Sequence, residues 1–173
     1  MILKDYIRTI PDFPKPGIQF RDVTTLLRDP AAYRETIDRI ADSVRHLQPD
    51  IIVGPEARGY AIGAPLAYAL EAGFALARKP GKLPFASIRC EYGLEYGKDV
   101  LEMHIDAITP GQRVVVCDDL LATGGTAHAV CRLVEQLGGI VVAARFVIEL
   151  EGMGGREAIS AYDTQSLFVY EGD

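Results

Sequence analysis

Asp118 and Asp119 stand side by side, directly after an apolar run, Val114-Val115-Val116-Cys117, and just ahead of a glycine-broken loop, Ala122-Thr123-Gly124-Gly125-Thr126. Carboxylates accept hydrogen bonds from hydroxyls. A glycine-rich turn feeding a helix offers unpaired backbone N–H groups, threonine hydroxyls and the positive end of the helix dipole, which together suit a phosphate monoester. Vicinal hydroxyls a few ångströms from a phosphate describe a ribose 5-phosphate. In this reading a β-branched side chain at Gly124 would fill the phosphate seat and forbid the loop conformation. The blander alternative is that the two acids end a strand and the glycines make a turn. No Gly-Lys-Ser/Thr follows the loop, as a Walker A motif requires, and its glycine spacing is not that of GxGxxG.

Cations occur at two further places. Arg58 lies in Gly54-Pro55-Glu56-Ala57-Arg58-Gly59, where its guanidinium fork matches phosphate oxygens or makes a surface salt bridge. Arg78, Lys79 and Lys82 cluster in an otherwise acidic chain, either solvated or as countercharge for a diphosphate.

These groups need strands to place them. Val114–Cys117, Ile51–Val53 and Phe74–Ala77 are short apolar runs of the kind that form buried parallel strands. Arg58, Arg78 and Asp118 each follow such a run, and ligands in open α/β sheets bind at the carboxyl ends of strands. Helical spacing covers Ala31–Leu47 after Pro30, Tyr60–Glu71, and Ala127–Leu137 before Gly138-Gly139. Between Phe85 and Ile105 apolar and polar residues alternate, which predicts two antiparallel strands joined by Gly93–Asp99. That polar tip reads as a mobile flap, and Glu95 is the carboxylate it would carry inward. Ile140–Leu150 is a long strand, Gly152–Gly155 a loop and Leu167–Tyr170 an edge strand. At the other end, Lys4–Thr9 reads as a short helix. Pro11, Pro14, Pro16 and Gly17 then force a turning arm into a packed loop, Gly17–Asp22. The order predicts one domain over residues 1–173: a doubly wound α/β fold, its sheet mainly parallel with helices on both faces, and an inserted β-flap or hood at about 82–105.

Composition narrows the class. The chain has 173 residues, 49% of them hydrophobic, enough for a core, and a net charge of −6 that gives little support to general nucleic-acid binding. No run approaches the ~20 apolar residues of a membrane span, and the N-terminus lacks a signal-peptide core, so a cytoplasmic protein is expected. Cys90, Cys117 and Cys131 share no CxxC spacing and read as small buried hydrophobes. His46, His104 and His128 show no metal-cluster spacing.

The apolar strand, the paired acids and Thr-Gly-Gly-Thr together resemble the phosphoribosyl-diphosphate binding motif of the type I phosphoribosyltransferases. Within that family, DDLLATGGT, PDFPKPGIQFRDVT, GPEARGY and EYGLEYGKDVLEMH resemble the adenine phosphoribosyltransferases, over Ile10 to about Arg156. The resemblance implies purine salvage: transfer of the phosphoribosyl group of 5-phospho-α-D-ribosyl 1-diphosphate to adenine, giving AMP and diphosphate. It places the 5-phosphate on Ala122, Thr123, Gly124, Gly125 and Thr126, and the ribose hydroxyls on Asp118 and Asp119. The diphosphate falls to Ala57, Arg58, Arg78, Lys79 and Lys82, with Mg²⁺ bound alongside and reached by Asp118 and Asp119 directly or through water. Adenine falls to the arm at about residues 10–25, read by main-chain groups near Gln19 and Arg21, with Phe20 beside them and Leu150 over the opposite ring face. The family often has an aliphatic residue where this chain has Gln19. Glu95 and Arg58 are the implied catalytic residues, and a homodimer is implied. Another purine base as acceptor, or a non-catalytic regulator that senses the diphosphate, are the alternatives.

Overall fold

The computed structural model describes residues 1–94 and 97–172. It opens with a 3₁₀ turn, Leu3–Tyr6, and a hairpin of β1 (Arg8–Pro11) and β2 (Gln19–Asp22). The expected helix over Lys4–Thr9 and loop over Gly17–Asp22 are thus replaced by pairing, Arg8 opposite Asp22 and Ile10 opposite Phe20. The cause is local: Pro14 and Pro16 fall in the connection, outside both strands, and Arg8 Nε donates to the buried Asp22 carboxylate at 3.0 Å.

Helix α1 (Thr24–Leu27) precedes α2 (Pro30–Val44), which begins at a favourable cap. Asp29 accepts from the Ala32 N–H at 2.8 Å and proline occupies the first turn, where its missing N–H costs nothing. The predicted end at Leu47 becomes a 3₁₀ turn, Arg45–Leu47. Then follow β3 (Ile51–Pro55), α3 (Arg58–Leu70), β4 (Gly73–Ala77), the antiparallel hairpin β5 (Ser87–Leu94) and β6 (Gly97–His104), β7 (Arg113–Leu121), α4 (Gly125–Gln136), β8 (Ile140–Glu151), α5 (Gly155–Ala158) and β9 (Thr164–Glu171).

Five strands form one parallel sheet in the order β4-β3-β7-β8-β9. Strand pleating sends alternate residues to opposite faces. Ile52, Val115, Cys117 and Ala143 meet α2 and α3 through Ile37, Ile40, Ile62 and Leu66. Val53, Ala75, Val114 and Val116 meet α4 through Val130, Leu133 and Val134. Both faces are therefore covered. Leu101 and Met103 of β6 join the second layer fully buried, each anchoring the hairpin by about 1.5–3 kcal/mol.

The strand order reverses between β3 and β7, and there the pairing is short. Ile51–Val53 pair with Val114–Val116, whereas β7 stays with β8 as far as Leu121 opposite Glu149. Beyond Val116, β7 has a strand neighbour on one side, and the other side opens as a crevice of the kind in which α/β sheets bind ligands.

Candidate active site

The strand containing Val114–Cys117 is longer than its apolar run suggests, so Asp118 and Asp119 lie inside β7, and both line the cleft at this crevice. A cleft of about 390 Å³ is lined by Glu56, Ala57 and Arg58 on one side and by Asp118 through Ala127 on the other. Asp119 is buried and forms an ion pair with Arg58, Oδ2 to Nε 2.7 Å, while the arginine stays half exposed. Asp118 Oδ1 accepts from the Asp119 backbone N–H at 2.8 Å. Burial, and then the charge of Asp119, push the Asp118 carboxyl well above the ordinary carboxylate value.

The loop after β7 turns into α4 at Gly124, whose φ of +85° lies in the left-handed region and whose helix has no side-chain cap. The first-turn N–H groups of α4 therefore face the cleft without competition from a capping side chain. A Cβ on Gly124 would lie 2.7 Å from Ala158 Cβ and 3.0 Å from Gly155 Cα. This corrects the expectation that a side chain there would fill the phosphate seat: it would strike α5, which backs the loop from behind. Gly155 is equally constrained, its virtual Cβ falling 2.5 Å from the Ala122 carbonyl.

Opposite the loop, the peptide between Glu56 and Ala57 is cis. Glu56 Oε1 accepts from the Lys79 N–H at 2.8 Å and from Arg78 Nε at 3.2 Å, and the first of these holds its carboxyl below the ordinary value. Arg78 therefore flanks the cleft rather than lining it. Lys79 Nζ bonds Asp99 of the hairpin, and Lys82 is exposed. Tyr92 OH lies 3.1 Å from Asp99 Oδ2 and 3.3 Å from Thr126 Oγ1, linking the hairpin to the loop. Glu95, one of the two implied catalytic residues, lies outside the described residues.

In the arm, the Phe20 ring lies 5.6 Å from Arg58 Cζ, beside the cleft. Arg21 turns away: Nη1 donates to Thr9 Oγ1 at 2.5 Å and its guanidinium stacks 4.4 Å over the Tyr170 ring. Leu150 is half-buried and pairs in register with Tyr170, so the arm and the end of β8 share that aromatic neighbour. Cys90, Cys117 and Cys131 are buried free thiols as expected; burial pushes Cys131 up to about 12. Among the described residues no three His, Cys, Asp or Glu side chains cluster for a metal, and no described helix is long and apolar enough to cross a membrane.

Residues 22–169 match the phosphoribosyl transferase domain family. The chain is 55% identical over 170 residues to an adenine phosphoribosyltransferase of Brevibacillus brevis, covering 98% of this chain and 100% of that one. The crystal structure of an adenine phosphoribosyltransferase from Thermoanaerobacter pseudethanolicus superimposes with a TM-score of 0.94 at 51% identity, covering 97% of this chain and 98% of the other. That of Saccharomyces cerevisiae, complexed with adenine and D-2,5-dideoxy-2,5-imino-altritol 1,6-bisphosphate, gives 0.91 at 37% identity over 95% and 96%. The chain belongs to the adenine phosphoribosyltransferase family.

Its doubly wound sheet and inserted hairpin are the type I phosphoribosyltransferase fold, as the motifs implied. Around the cleft and the arm, sequence reasoning missed Glu56, Tyr92, Asp99, Tyr170 and the backing helix α5. The strands run further than their alternation predicts, to Leu94 and from Gly97, so Asp99, expected in the joining segment, lies on β6 opposite Tyr92. Nothing local signalled α5, because four residues at a double-glycine turn carry no helical period.

Proposed function

We propose that the cleft between Arg58 and the β7–α4 loop binds 5-phospho-α-D-ribosyl 1-diphosphate and that the enzyme transfers its phosphoribosyl group to adenine. The observation that carries this is the convergence of Asp118, Asp119 and residues 122–126 at the crevice where β7 leaves β3, facing Arg58. Relatives named for this reaction, one of them solved with adenine and a bisphosphate, support the same reading.

The chemistry assigns the parts. Cleavage of the C1–oxygen bond sends its electron pair to the departing diphosphate and gives the ribose oxocarbenium character, while N9 of adenine forms the new bond to C1 and loses its proton. Residues 122–126 and the first turn of α4 hold the 5-phosphate with N–H groups and hydroxyls. Asp118 and Asp119 accept from the ribose hydroxyls. Arg58 shares its guanidinium between Asp119 and the diphosphate, and Ala57, Arg78, Lys79 and Lys82 add the remaining diphosphate-binding groups. Glu95, the carboxylate expected of the flap, receives the adenine proton or stabilises the charge that develops as the proton leaves. Gln19, Phe20, Arg21 and Leu150 form the base site, with Arg21 contributing main chain because its side chain is engaged by Thr9 and Tyr170.

Mg²⁺ fits as a companion of the diphosphate: the acidic pair supplies hard oxygens beside an open cleft, too few for an all-protein cage, which matches an ion that keeps water and phosphate oxygens. When bound, it would neutralise charge developing on the diphosphate. A single domain, a homodimer and a cytoplasmic setting follow from the same family reading. The test is product analysis with donor and Mg²⁺ and, in turn, adenine, hypoxanthine, guanine and orotate. AMP and diphosphate from adenine alone are expected; comparable turnover of hypoxanthine overturns the adenine assignment.

A further inference from the structure

The hairpin reaches both phosphate-binding regions through one cross-strand pair. Tyr92 on β5 is in register with Asp99 on β6, and the four groups Lys79, Asp99, Tyr92 and Thr126 form a continuous chain. Hydrogen-bond polarity along it is determined by its ends. The Asp99 carboxyl is held below its ordinary value, chiefly by the Lys79 ammonium, so it is an acceptor only. Burial holds the Tyr92 phenol above its ordinary value, so it keeps one proton, which goes to Asp99. The Tyr92 oxygen can then only accept from Thr126, whose single hydroxyl proton is thereby directed at the hairpin.

A phosphate dianion also accepts only. It must win the Thr126 proton from Tyr92.

We propose that Tyr92, oriented by Asp99, is a positioning residue that sets affinity for the phosphoribosyl donor by competing with its 5-phosphate for the hydroxyl proton of Thr126. This rests on the placement of the 5-phosphate at residues 122–126. The ring of Tyr92 makes the contact specific, because it packs against Gly125, where a Cβ would lie 3.1 Å from Tyr92 Cδ2. Removing the phenol oxygen alone leaves that packing in place and frees Thr126 to donate into the cleft. Asp99→Asn acts through Tyr92: an amide no longer obliges the phenol to donate toward the hairpin, so the phenol can turn its proton to Thr126.

The experiment is calorimetric titration of wild type, Tyr92→Phe, Asp99→Asn and the double variant with ribose 5-phosphate and, separately, with inorganic diphosphate. Tyr92→Phe is expected to bind ribose 5-phosphate about three- to tenfold more tightly, the range of one net hydrogen bond. Asp99→Asn should tighten it less, and the double variant should match Tyr92→Phe, since both changes act on one proton. Diphosphate affinity in Tyr92→Phe should stay at the wild-type value, a separation that general loosening of the hairpin would not produce. Unchanged or weaker ribose 5-phosphate binding by a folded Tyr92→Phe, or additive effects in the double variant, overturns the proposal. Failure of wild type to bind ribose 5-phosphate would instead overturn the placement of the 5-phosphate.

Discussion

Arg58 Nε lies 2.7 Å from Asp119 Oδ2, so the start of α3 is tied across the cleft to the far end of β7. The carboxylate is almost fully covered and the guanidinium is half in solvent. That asymmetry holds the Asp119 carboxylate in place while the half-exposed guanidinium of Arg58 stays within reach of an anion in the cleft. It also leaves Asp118 as the acid beside a fixed negative charge.

Asp118 should therefore cost the fold stability. Its raised pKa means that, between the ordinary value of 3.8 and the raised one, the folded chain binds more protons than the unfolded chain, so stability falls as pH rises through that window. Asp118→Asn keeps the acceptor for the Asp119 N–H and removes the charge. Its melting temperature should exceed wild type at neutral pH, by about 2–4 °C per kcal/mol relieved, and the gain should vanish below pH 3.8. Thermal melts across pH check this; a variant less stable at neutral pH would contradict it.

Gly124→Val should both destabilise the protein and weaken donor binding. The left-handed φ costs roughly 1–2 kcal/mol for a side chain, and overpacking against Ala158 and Gly155 about 1–3 kcal/mol more. Melting curves and donor calorimetry together test it. A fully stable variant would mean that the contact with α5 is not as tight as described.

Base recognition should be uneven across its side chains. Leu150→Ala should weaken adenine binding by roughly 1–3 kcal/mol through loss of an apolar wall, whereas Gln19→Ala should change it less than about threefold, by under one hydrogen bond. Neither should gain hypoxanthine activity, because a site built from backbone groups would meet hypoxanthine donor to donor and leave buried groups unpaired. Competition binding with both bases checks all three statements.

Glu95→Gln should slow transfer by ~10²-fold or more, the usual size of a lost general base, with little change in donor affinity. A loss under about threefold would remove Glu95 from the proton-transfer step.

Much of this was legible in the chain because it was local. A β-branched run, two acids and a glycine loop are consecutive, so Asp118 through Thr126 could be placed on a strand end and helix start before any fold was known. Arg58 was legible for the same reason, following Ile51–Val53. What did not show was long-range: Asp99 meets Lys79, and Tyr92 meets Thr126, only once the hairpin folds over the sheet. The arm failed for a related cause, since Gly17–Asp22 has no strong period and becomes a strand only because Arg8–Pro11 pairs with it. At Gly124 the loop conformation that excludes a side chain is local and legible, and its φ of +85° bears that out, whereas the contact with Gly155 is not, because that neighbour is far along the chain.

The most direct measurement is the rate of AMP formation from donor and adenine by Asp118→Asn with Asp119→Asn, with the fold verified by circular dichroism. Both carboxylates serve the cleft rather than the core clusters, so a folded protein with transfer activity lost is expected. Near-normal turnover by the folded double variant would contradict the assignment of this cleft as the donor site.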